Sequence, residues 1–364
     1  MLFLPLISLP MTVCLFWAVF LLLRMAGEPS VRPTDKQMLL FFTAALLLYG
    51  CHFLYFAGYG STAGETLYAA MNLCVYPLFF RYLATLTGNK EAKRTGLWLF
   101  LPALCLPAVL PILLTGGHEK AVQICHTAGR TCFLLQVAYV WVRGHNLLRD
   151  YRTQLDNTYA DDRSYQLRHV TILLQLLGAT AIISAGLSTI GREFFYGHLT
   201  VIIPALLMTM LLYGLGYTTS LIHIPEEEHE ESTDTTSEGV TEEEDARQMR
   251  IRLEEYMASE PYKDPNFTIY DLARGVRTNR TYISNFINQQ YGVNFSTFIA
   301  DLRIEHAKKV LADKNWQNSK NAIGAAMLQS GFLSETTFYR LFKQKTGVSP
   351  RQFRIQALGS KAEE

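Results

Sequence analysis

The chain has 364 residues and a formal net charge of +1, but these averages hide three regions of different composition. Residues 1–223 are mostly apolar, residues 224–245 hold 11 acidic residues and no Lys or Arg, and residues 246–358 hold 17 Lys and Arg against 9 Asp and Glu. This distribution argues against a single soluble domain, and the length corresponds to two or three domains. The six cysteines lie in apolar segments without metal-ligand spacing, so neither a disulfide framework nor a zinc site is supported.

Seven apolar segments follow one another through residues 1–223. Most reach the roughly 20 residues that a helix needs to cross the hydrocarbon core of a bilayer. The first has no Lys or Arg before it and is longer than the apolar part of a secretion signal, so we interpret it as an uncleaved span. The sequence therefore predicts an all-α protein that begins with a polytopic helical membrane bundle of about seven spans: residues 2–23, 37–58, 65–87, 97–115, 121–142, 169–190 and 199–221.

The Lys and Arg residues between these segments are distributed unevenly. One set of alternate loops carries only Lys120 and Arg192. The other set carries 11 basic residues: Arg24, Arg32, Lys36, Lys90, Lys93, Arg94, Arg143, Arg149, Arg152, Arg163 and Arg168. Because basic loops stay on the cytoplasmic side, we predict an N-terminus outside and everything after Leu221 in the cytoplasm. The expected location is the bacterial cytoplasmic (inner) membrane.

Several polar or ionisable residues lie within the predicted spans, where such side chains need partners or a purpose. Arg130 is nine residues into its segment, roughly 13 Å deep at about 1.5 Å per residue. Two interpretations stay open: a polar pocket for a small-molecule signal, or an interhelical hydrogen-bond network that only fixes packing. The candidate pocket residues are His52, Glu65, Asn72, His126 and Arg130.

Residues 224–245 combine acidic side chains with Ser and Thr and contain no apolar run. Such a segment cannot bury a core, so we predict a disordered, extended linker. Two roles stay open for it. It is either a plain spacer or an electrostatic competitor that folds back onto the basic region in place of a polyanionic partner.

The basic region predicts a series of short helices with recognisable ends. Thr268 and Asp271 have the spacing of a capping box, and Gly331 permits a tight turn. Ser349-Pro350 combines an N-cap with proline at the first helical position. Helices are predicted over residues 246–259, 280–290, 295–312 and 321–329, with others beginning after Thr268, Ser334 and Ser349.

A short helix, a turn and a second helix with a polar outer side occur twice in this region, about 55 residues apart. In the first copy Ile283, Phe286 and Ile287 point to a core. The opposite side carries side chains of the kinds that bind base edges and phosphates. These residues are Arg280, Thr281, Ser284 and Asn285.

The second copy has the same division into a buried stripe and a basic outer side. Phe338, Leu341 and Phe342 recur at the spacing of one helical face. The basic residues Arg340, Lys343 and Lys345 lie off that stripe. The repetition predicts a bipartite DNA-binding region.

A long series of residues in the basic region forms a specific pattern: Leu272-Ala273, Tyr282-Ile283-Ser284, Gly292, Phe295, Phe298-Ile299, Arg303, Ala307, Leu311, Gly331-Phe332, Ser334, Phe338, Arg340, Phe342-Lys343, Gly347, Ser349-Pro350 and Arg354. In these features residues 248–357 resemble the DNA-binding domain of AraC/XylS-type transcriptional regulators. The apolar part resembles that of the membrane-tethered, multi-span AraC-type regulators of the Bacteroidetes, without a sharp motif.

The resemblance implies two helix-turn-helix units whose recognition helices enter successive major grooves about 34 Å apart. In the second recognition helix it implies base contacts by Thr336, Thr337 and Arg340, with Lys343 and Arg354 as phosphate or structural contacts. The sequence departs from the family pattern at Ala326-Met327, where the family usually has Ile-Ala. These residues are small and apolar, so the fold is expected to hold.

The sequence contains no phosphate-binding loop, dinucleotide-binding pattern or metal-spaced cluster, so we predict no catalysis, no metal and no cofactor. We predict a membrane-anchored transcriptional regulator that senses a signal through its spans and binds double-stranded DNA, with a homodimer as a candidate assembly. The alternative is a polytopic transporter or receptor with a secondary regulatory DNA-binding domain. The predicted domains are residues 1–223, a linker 224–245, a DNA-binding domain 246–358 and a tail 359–364.

Overall fold

The computed structural model describes residues 4–28, 31–59, 62–105, 119–160, 165–189, 208–217, 242–313 and 321–359. Regular secondary structure in these ranges is helical, as the sequence predicts. The chain divides into two compact units. The first comprises residues 1–151 and 166–223, and the second comprises residues 152–165 and 224–364.

The helices of the first unit are mostly long. The last residues of its longest helix, 152–156, belong to the second unit. Further helical turns cover Trp98–Phe100 and residues 101–105 and 208–217. The main helices are α1 (Leu4–Gly27), α2 (Pro33–Phe56), α3 (Thr62–Leu86), α4 (Lys90–Thr95), α5 (Glu119–Asp156) and α6 (Tyr165–Thr189).

Long helices coincide with five of the seven predicted spans, namely the first, second, third, fifth and sixth. The fourth and seventh segments lie partly outside the described residues. Within the described part of the chain, two helical stretches have the length and apolar composition of a membrane span, Ser8–Gly27 and Pro33–Leu54. The seven-span bundle therefore stays a prediction.

Helix α5 is longer than the apolar segment from which it was predicted. It has 38 residues and ends at Asp156, whereas the apolar segment ends at residue 142. Residues 143–156 contain Leu, Arg and Gln, which are good helix formers, and no proline to break the backbone. Hydropathy marks where an apolar environment ends, and a helix with favourable residues continues beyond that point.

Aromatic side chains pack α1, α2 and α3 together. Trp17 stacks on Phe42 with ring centroids 6.4 Å apart, and the rings of Phe41 and Phe79 are 5.9 Å apart. The faces of α1 that are turned away from this core are apolar too, and Leu23 is 69% exposed. A helix that is apolar on every side is typical of lipid contact or of a deeply buried position.

The second unit is a set of shorter helices. The first begins at Glu242, within the segment predicted as a linker, and residues 224–241 lie outside the described residues. Acidic residues at positions 242–245 suit the positive end of the helix dipole, which explains the earlier start. The helices are α7 (Glu242–Ala258), α8 (Ile269–Gly275), α9 (Arg280–Tyr291), α10 (Phe295–Ala312), α11 (Ala322–Gln329), α12 (Glu335–Thr346) and α13 (Pro350–Gly359).

Helix α10 serves two separate hydrophobic cores. Its first half, including Phe295 and Ile299, packs with α7, α8 and α9. Its second half, including Ala307 and Leu311, packs with α11, α12 and α13. One continuous helix therefore joins the two helix pairs that the sequence predicts as helix-turn-helix units.

Arg303 lies on α10 where the two cores meet, and only 1% of it is exposed. Its Nε donates a hydrogen bond to the carbonyl of Tyr262 at 2.7 Å, and its Nη2 donates to the carbonyl of Asp264 at 2.7 Å. Its Nη1 donates to the carbonyl of Ala160 at 3.4 Å. The guanidinium also lies over the ring of Phe332, 5.8 Å from its centroid. Arg303 thus connects backbone of the first core to the second core.

We expect Arg303→Met to destabilise the second unit, because three backbone carbonyls lose a charged donor. The expected loss is about 2–5 kcal/mol in the free energy of unfolding. The measurement is native-state hydrogen exchange of the α10 amides in the detergent-solubilised chain. Arg351→Met, at an exposed position on α13, is the matched control and should change stability by no more than about 0.5 kcal/mol. Equal effects of the two substitutions would contradict the role of Arg303.

Candidate nucleic-acid interface

The first helix pair is α8 and α9, and local hydrogen bonds define its ends. The Thr268 side chain accepts from the backbone N–H of Asp271 at 3.3 Å. Asp271 Oδ2 accepts in return from the Thr268 N–H at 3.0 Å, which completes the predicted capping box. Asn279 caps α9 by accepting from the N–H of Tyr282 at 2.7 Å. Arg277, in the turn between the helices, has a φ of +57°, an uncommon conformation for a residue other than glycine.

Helix α9 separates an apolar side from a polar side, as its periodicity predicts. Ile283, Phe286 and Ile287 are buried in the first core. Thr281 and Asn285 are exposed, whereas Ser284 and Arg280 are half-buried. We call the four polar residues the first polar face: Arg280, Thr281, Ser284 and Asn285.

Arg280, a member of the first polar face, has side-chain contacts within the second unit. Its Nη2 donates to Thr158 Oγ1 at 3.4 Å, and its guanidinium lies 5.5 Å from the centroid of the Tyr270 ring. Thr158 precedes Arg280 by 122 residues in the chain. Sequence patterns could not reveal this contact, because no local periodicity links residues so far apart.

The second helix pair is α11 and α12. Gly331, in the turn, has a φ of +83°, and a Cβ at this position would lie 2.6 Å from the carbonyl oxygen of Lys263. Glycine is therefore required there both for its conformation and for the close approach of backbone from the first core. Ser334 caps α12 by accepting from the N–H of Thr337 at 3.3 Å. Gly347 ends the helix with a φ of +77°.

Helix α12 also presents a polar side, but with one difference from the sequence prediction. Thr336, Arg340 and Lys343 are exposed, and we call them the second polar face. Thr337, which the resemblance placed among the base-contacting residues, is only 9% exposed. It precedes Leu341 by one helical turn, so it lies on the edge of the buried stripe. We therefore leave Thr337 out of the candidate interface.

Two other basic residues of this region are paired or partly buried within the second unit. Lys345 Nζ lies 2.6 Å from Asp301 Oδ1, which links α12 to α10. Arg354 on α13 is half-buried. Both observations fit a structural role better than a role in base recognition.

The departure from the family pattern at Ala326-Met327 is accommodated in the second core. Ala326 is fully buried there, and Met327 packs against the same cluster. Met has an unbranched side chain that fills irregular gaps. The second helix pair is thus packed as the first is, despite the unusual residues.

The candidate pocket residues of the first unit are described only in part. His52 on α2 and Tyr68 on α3 have ring centroids 5.8 Å apart, and Asn72 on α3 is half-buried. Arg130 on α5 is exposed. The side chains of Glu65 and His126 lie outside the described residues. The pocket stays a prediction.

Two helix pairs of this kind, each with a capped second helix and a polar outer side, define a helix-turn-helix protein. The family described as "Helix-turn-helix domain" matches residues 272–356. The match covers both α9 and α12 and lies entirely within the second unit. The C-terminal part of the chain is therefore a helix-turn-helix domain of the AraC type.

Relatives with this domain are transcriptional regulators by name. The melibiose operon regulatory protein of Escherichia coli is 31% identical over 91 residues, covering 25% of this chain and 28% of the relative. The arabinose operon regulatory protein of Escherichia coli is 30% identical over 105 residues, covering 29% of this chain and 34% of the relative. The uncharacterized regulator YobQ of Bacillus subtilis is 33% identical over 87 residues, covering 24% and 34%.

The chain thus spans about a third of the length of these curated relatives. The shared part in each case corresponds in size to a DNA-binding domain. No solved structure matches the chain. The comparisons therefore concern the second unit and do not reach the apolar part.

We expect Arg340→Ala to weaken discrimination at one base position by about 1–3 kcal/mol, because we predict that Arg340, which is exposed on α12, pairs with a base edge. The measurement is competition between a duplex selected by the wild-type chain and its single-base variants. Arg351→Ala removes the same charge from an exposed position on α13 and serves as the control. A loss that is uniform across all duplexes would instead assign Arg340 to a phosphate.

Proposed function

We propose that the chain is a membrane-anchored, sequence-specific DNA-binding transcriptional regulator. The observation that carries the proposal is the pair of capped helices α9 and α12, each with a polar outer side, built on one continuous helix. A protein that holds two recognition helices in one body can contact successive major grooves of a duplex. Phosphate contacts would fix the register, and base contacts from the two polar faces would supply specificity.

The named relatives support a role in transcription. Two of them are called regulatory proteins of the melibiose and arabinose operons. The chain shares only the C-terminal domain with them, so we transfer the class of activity and not the sugar signal. Whatever this protein senses is encoded in its other unit.

The charge of residues 246–358 also supports DNA as the partner. Their net charge of +8 contrasts with +1 for the whole chain, and a basic domain attracts a polyanion. Arg340 and Lys343 are exposed on the second polar face. These cations are placed where they can approach a phosphate backbone.

Location in the bacterial cytoplasmic membrane is the second part of the proposal. The apolar composition of residues 1–223, the stretches Ser8–Gly27 and Pro33–Leu54 and the uneven distribution of Lys and Arg support it. With the N-terminus outside and an odd number of spans, the helix-turn-helix domain would lie in the cytoplasm beside the DNA. The spans would then be the sensing part, with His52, Asn72 and Arg130 as residues to test.

DNA affinity should fall steeply with salt, because binding releases counterions from the phosphates that the protein neutralises. If six or more phosphates are contacted, the loss between about 50 and 200 mM salt is about a thousandfold or more. Lys343→Gln should reduce the slope by about one unit if Lys343 contacts a phosphate. Lys308→Gln is the control, since Lys308 pairs with Glu305 at 2.8 Å on α10. A flat salt response would argue against DNA as the partner.

Reporter fusions should reveal the predicted orientation. A phosphatase that is active only outside the cytoplasm should be active when fused after residue 117 and inactive when fused after residue 94 or residue 155. The physical reason is that the loops containing residues 94 and 155 are rich in Lys and Arg, which remain on the cytoplasmic side. Activity after residue 155 would reverse the topology and overturn the proposed location of the DNA-binding domain.

A further inference from the structure

Four residues between α5 and α6 are built into the helix-turn-helix unit. We call residues 157–160 the docking strand. Tyr159 forms an isolated antiparallel bridge with Thr268. On either side of this pair, the Ala160 N–H donates to the carbonyl of Phe267 at 3.2 Å, and the Ile269 N–H donates to the carbonyl of Thr158 at 2.9 Å. The strand thus pairs with the backbone of residues 267–269, in the way that extended peptides add to the edge of a sheet.

Side chains of the docking strand are buried in the same unit. Thr158 is 1% exposed, and Tyr159 and Ala160 are also buried. Ala160 belongs to the first hydrophobic core together with residues of α7, α8 and α9. Its carbonyl is one of the three that accept hydrogen bonds from Arg303. A segment distant in sequence therefore completes the packing of the DNA-binding unit.

The docking strand also satisfies a donor that the helix-turn-helix leaves open. Ile269 is the first residue of α8, and the N–H groups in the first turn of a helix have no partner within the helix. The carbonyl of Thr158 accepts from this N–H. Water can replace that carbonyl when the strand leaves, so the contact is suited to reversible binding.

The most direct consequence of docking is its effect on Arg280. Arg280 is the first residue of the recognition helix α9 and a member of the first polar face. Its guanidinium donates to Thr158 Oγ1 at 3.4 Å and lies over the Tyr270 ring. A guanidinium held in this position is occupied by the strand and the ring, and it must leave Thr158 before it can reach a base or a phosphate.

We propose that the docking strand is an inhibitory segment that holds Arg280 away from DNA, and that its release activates the first helix-turn-helix. This inference rests on the proposed DNA-binding function and adds a way in which DNA binding is regulated. The strand follows α5 directly in the chain and is followed by α6, which begins at Tyr165. A signal that shifts either helix can therefore move the strand directly through the chain connection. Such a signal changes the balance between docked and released states by its differential affinity for the two.

Distribution of charge along the chain gives independent support. The segment between the fifth and sixth predicted spans contains the docking strand and carries Arg143, Arg149, Arg152, Arg163 and Arg168, and its composition predicts a cytoplasmic location. The helix-turn-helix domain is predicted on the same side from the number of spans. The docking strand and the helix-turn-helix domain are therefore expected in one compartment. This expectation depends on loop charge and the number of spans, and not on the contact between them.

The geometry of the bridge allows the docked state to be trapped. Tyr159 and Thr268 face each other between two flanking hydrogen bonds, which is the non-hydrogen-bonded type of antiparallel pair. In such a pair the Cα atoms are about 4.5 Å apart, within the range that a disulfide bridges. The double variant Tyr159→Cys/Thr268→Cys should therefore form a disulfide under mild oxidant in the full chain. Wild-type chain and each single variant, treated with the same oxidant, control for the six native cysteines.

DNA binding by the trapped chain tests the inhibitory role. The probe is a duplex selected by the full-length wild-type chain from a randomised pool, with a scrambled duplex for comparison. We expect the oxidised double variant to bind the selected duplex at least tenfold more weakly than the same sample after reduction. Equal affinity before and after reduction would overturn the proposal, as would failure of the disulfide to form. Absence of selective binding in both forms and in wild type would instead overturn the proposed function.

A single substitution tests the Arg280 contact without altering the backbone. Thr158→Val keeps the shape of the side chain but removes the hydroxyl, which accepts from Arg280 and donates to the Gln154 carbonyl at 2.7 Å. We expect about two- to tenfold tighter binding to the selected duplex. Thr153→Val, at an exposed position on α5, is the matched control and should leave affinity unchanged. Unchanged or weaker binding by Thr158→Val would show that Thr158 does not restrain Arg280.

Discussion

The hydrogen bonds of Arg303 are the constraint on which the helix-turn-helix unit depends. A fully buried guanidinium is costly unless its donors are paired, and here three backbone carbonyls accept from it. Two of these carbonyls, those of Tyr262 and Asp264, belong to the segment between α7 and α8, and the contact with Phe332 extends to the second core. These contacts do not involve the docking strand. The relative positions of α9 and α12 follow from this junction. The close approach of Gly331 to the Lys263 carbonyl holds the same junction from the other side.

Local features of the second unit could be predicted from the sequence because they depend on neighbouring residues. The capping box of Thr268 and the N-caps Asn279 and Ser334 all form the hydrogen bonds that their residue types suggest. The helical periodicity of the apolar residues likewise predicted the buried and exposed sides of α9 and α12. These signals fix each helix, and their repetition along the chain indicated a bipartite domain.

Three other features of the structure differ from the sequence prediction or lie beyond it. Thr337 looked like an exposed recognition residue, yet its place beside the stripe of Leu341 buries it. Helix α5 continues past its apolar segment, because backbone hydrogen bonding does not stop where hydropathy falls. The docking strand could not be foreseen at all, since Thr158 and Arg280 are 122 residues apart. The contact between Thr158 and Arg280, on which the regulatory proposal depends, is therefore visible only in the three-dimensional structure.

The central claim is that α9 and α12 act together as one bipartite reader of DNA. Hydroxyl-radical footprinting of the full chain on a selected duplex tests this most directly. We expect two protected patches on one face of the duplex, about one helical turn or 34 Å apart. We also expect Asn285→Ala to weaken one patch and Arg340→Ala the other. A single protected patch, or two patches that respond equally to both substitutions, would contradict the claim.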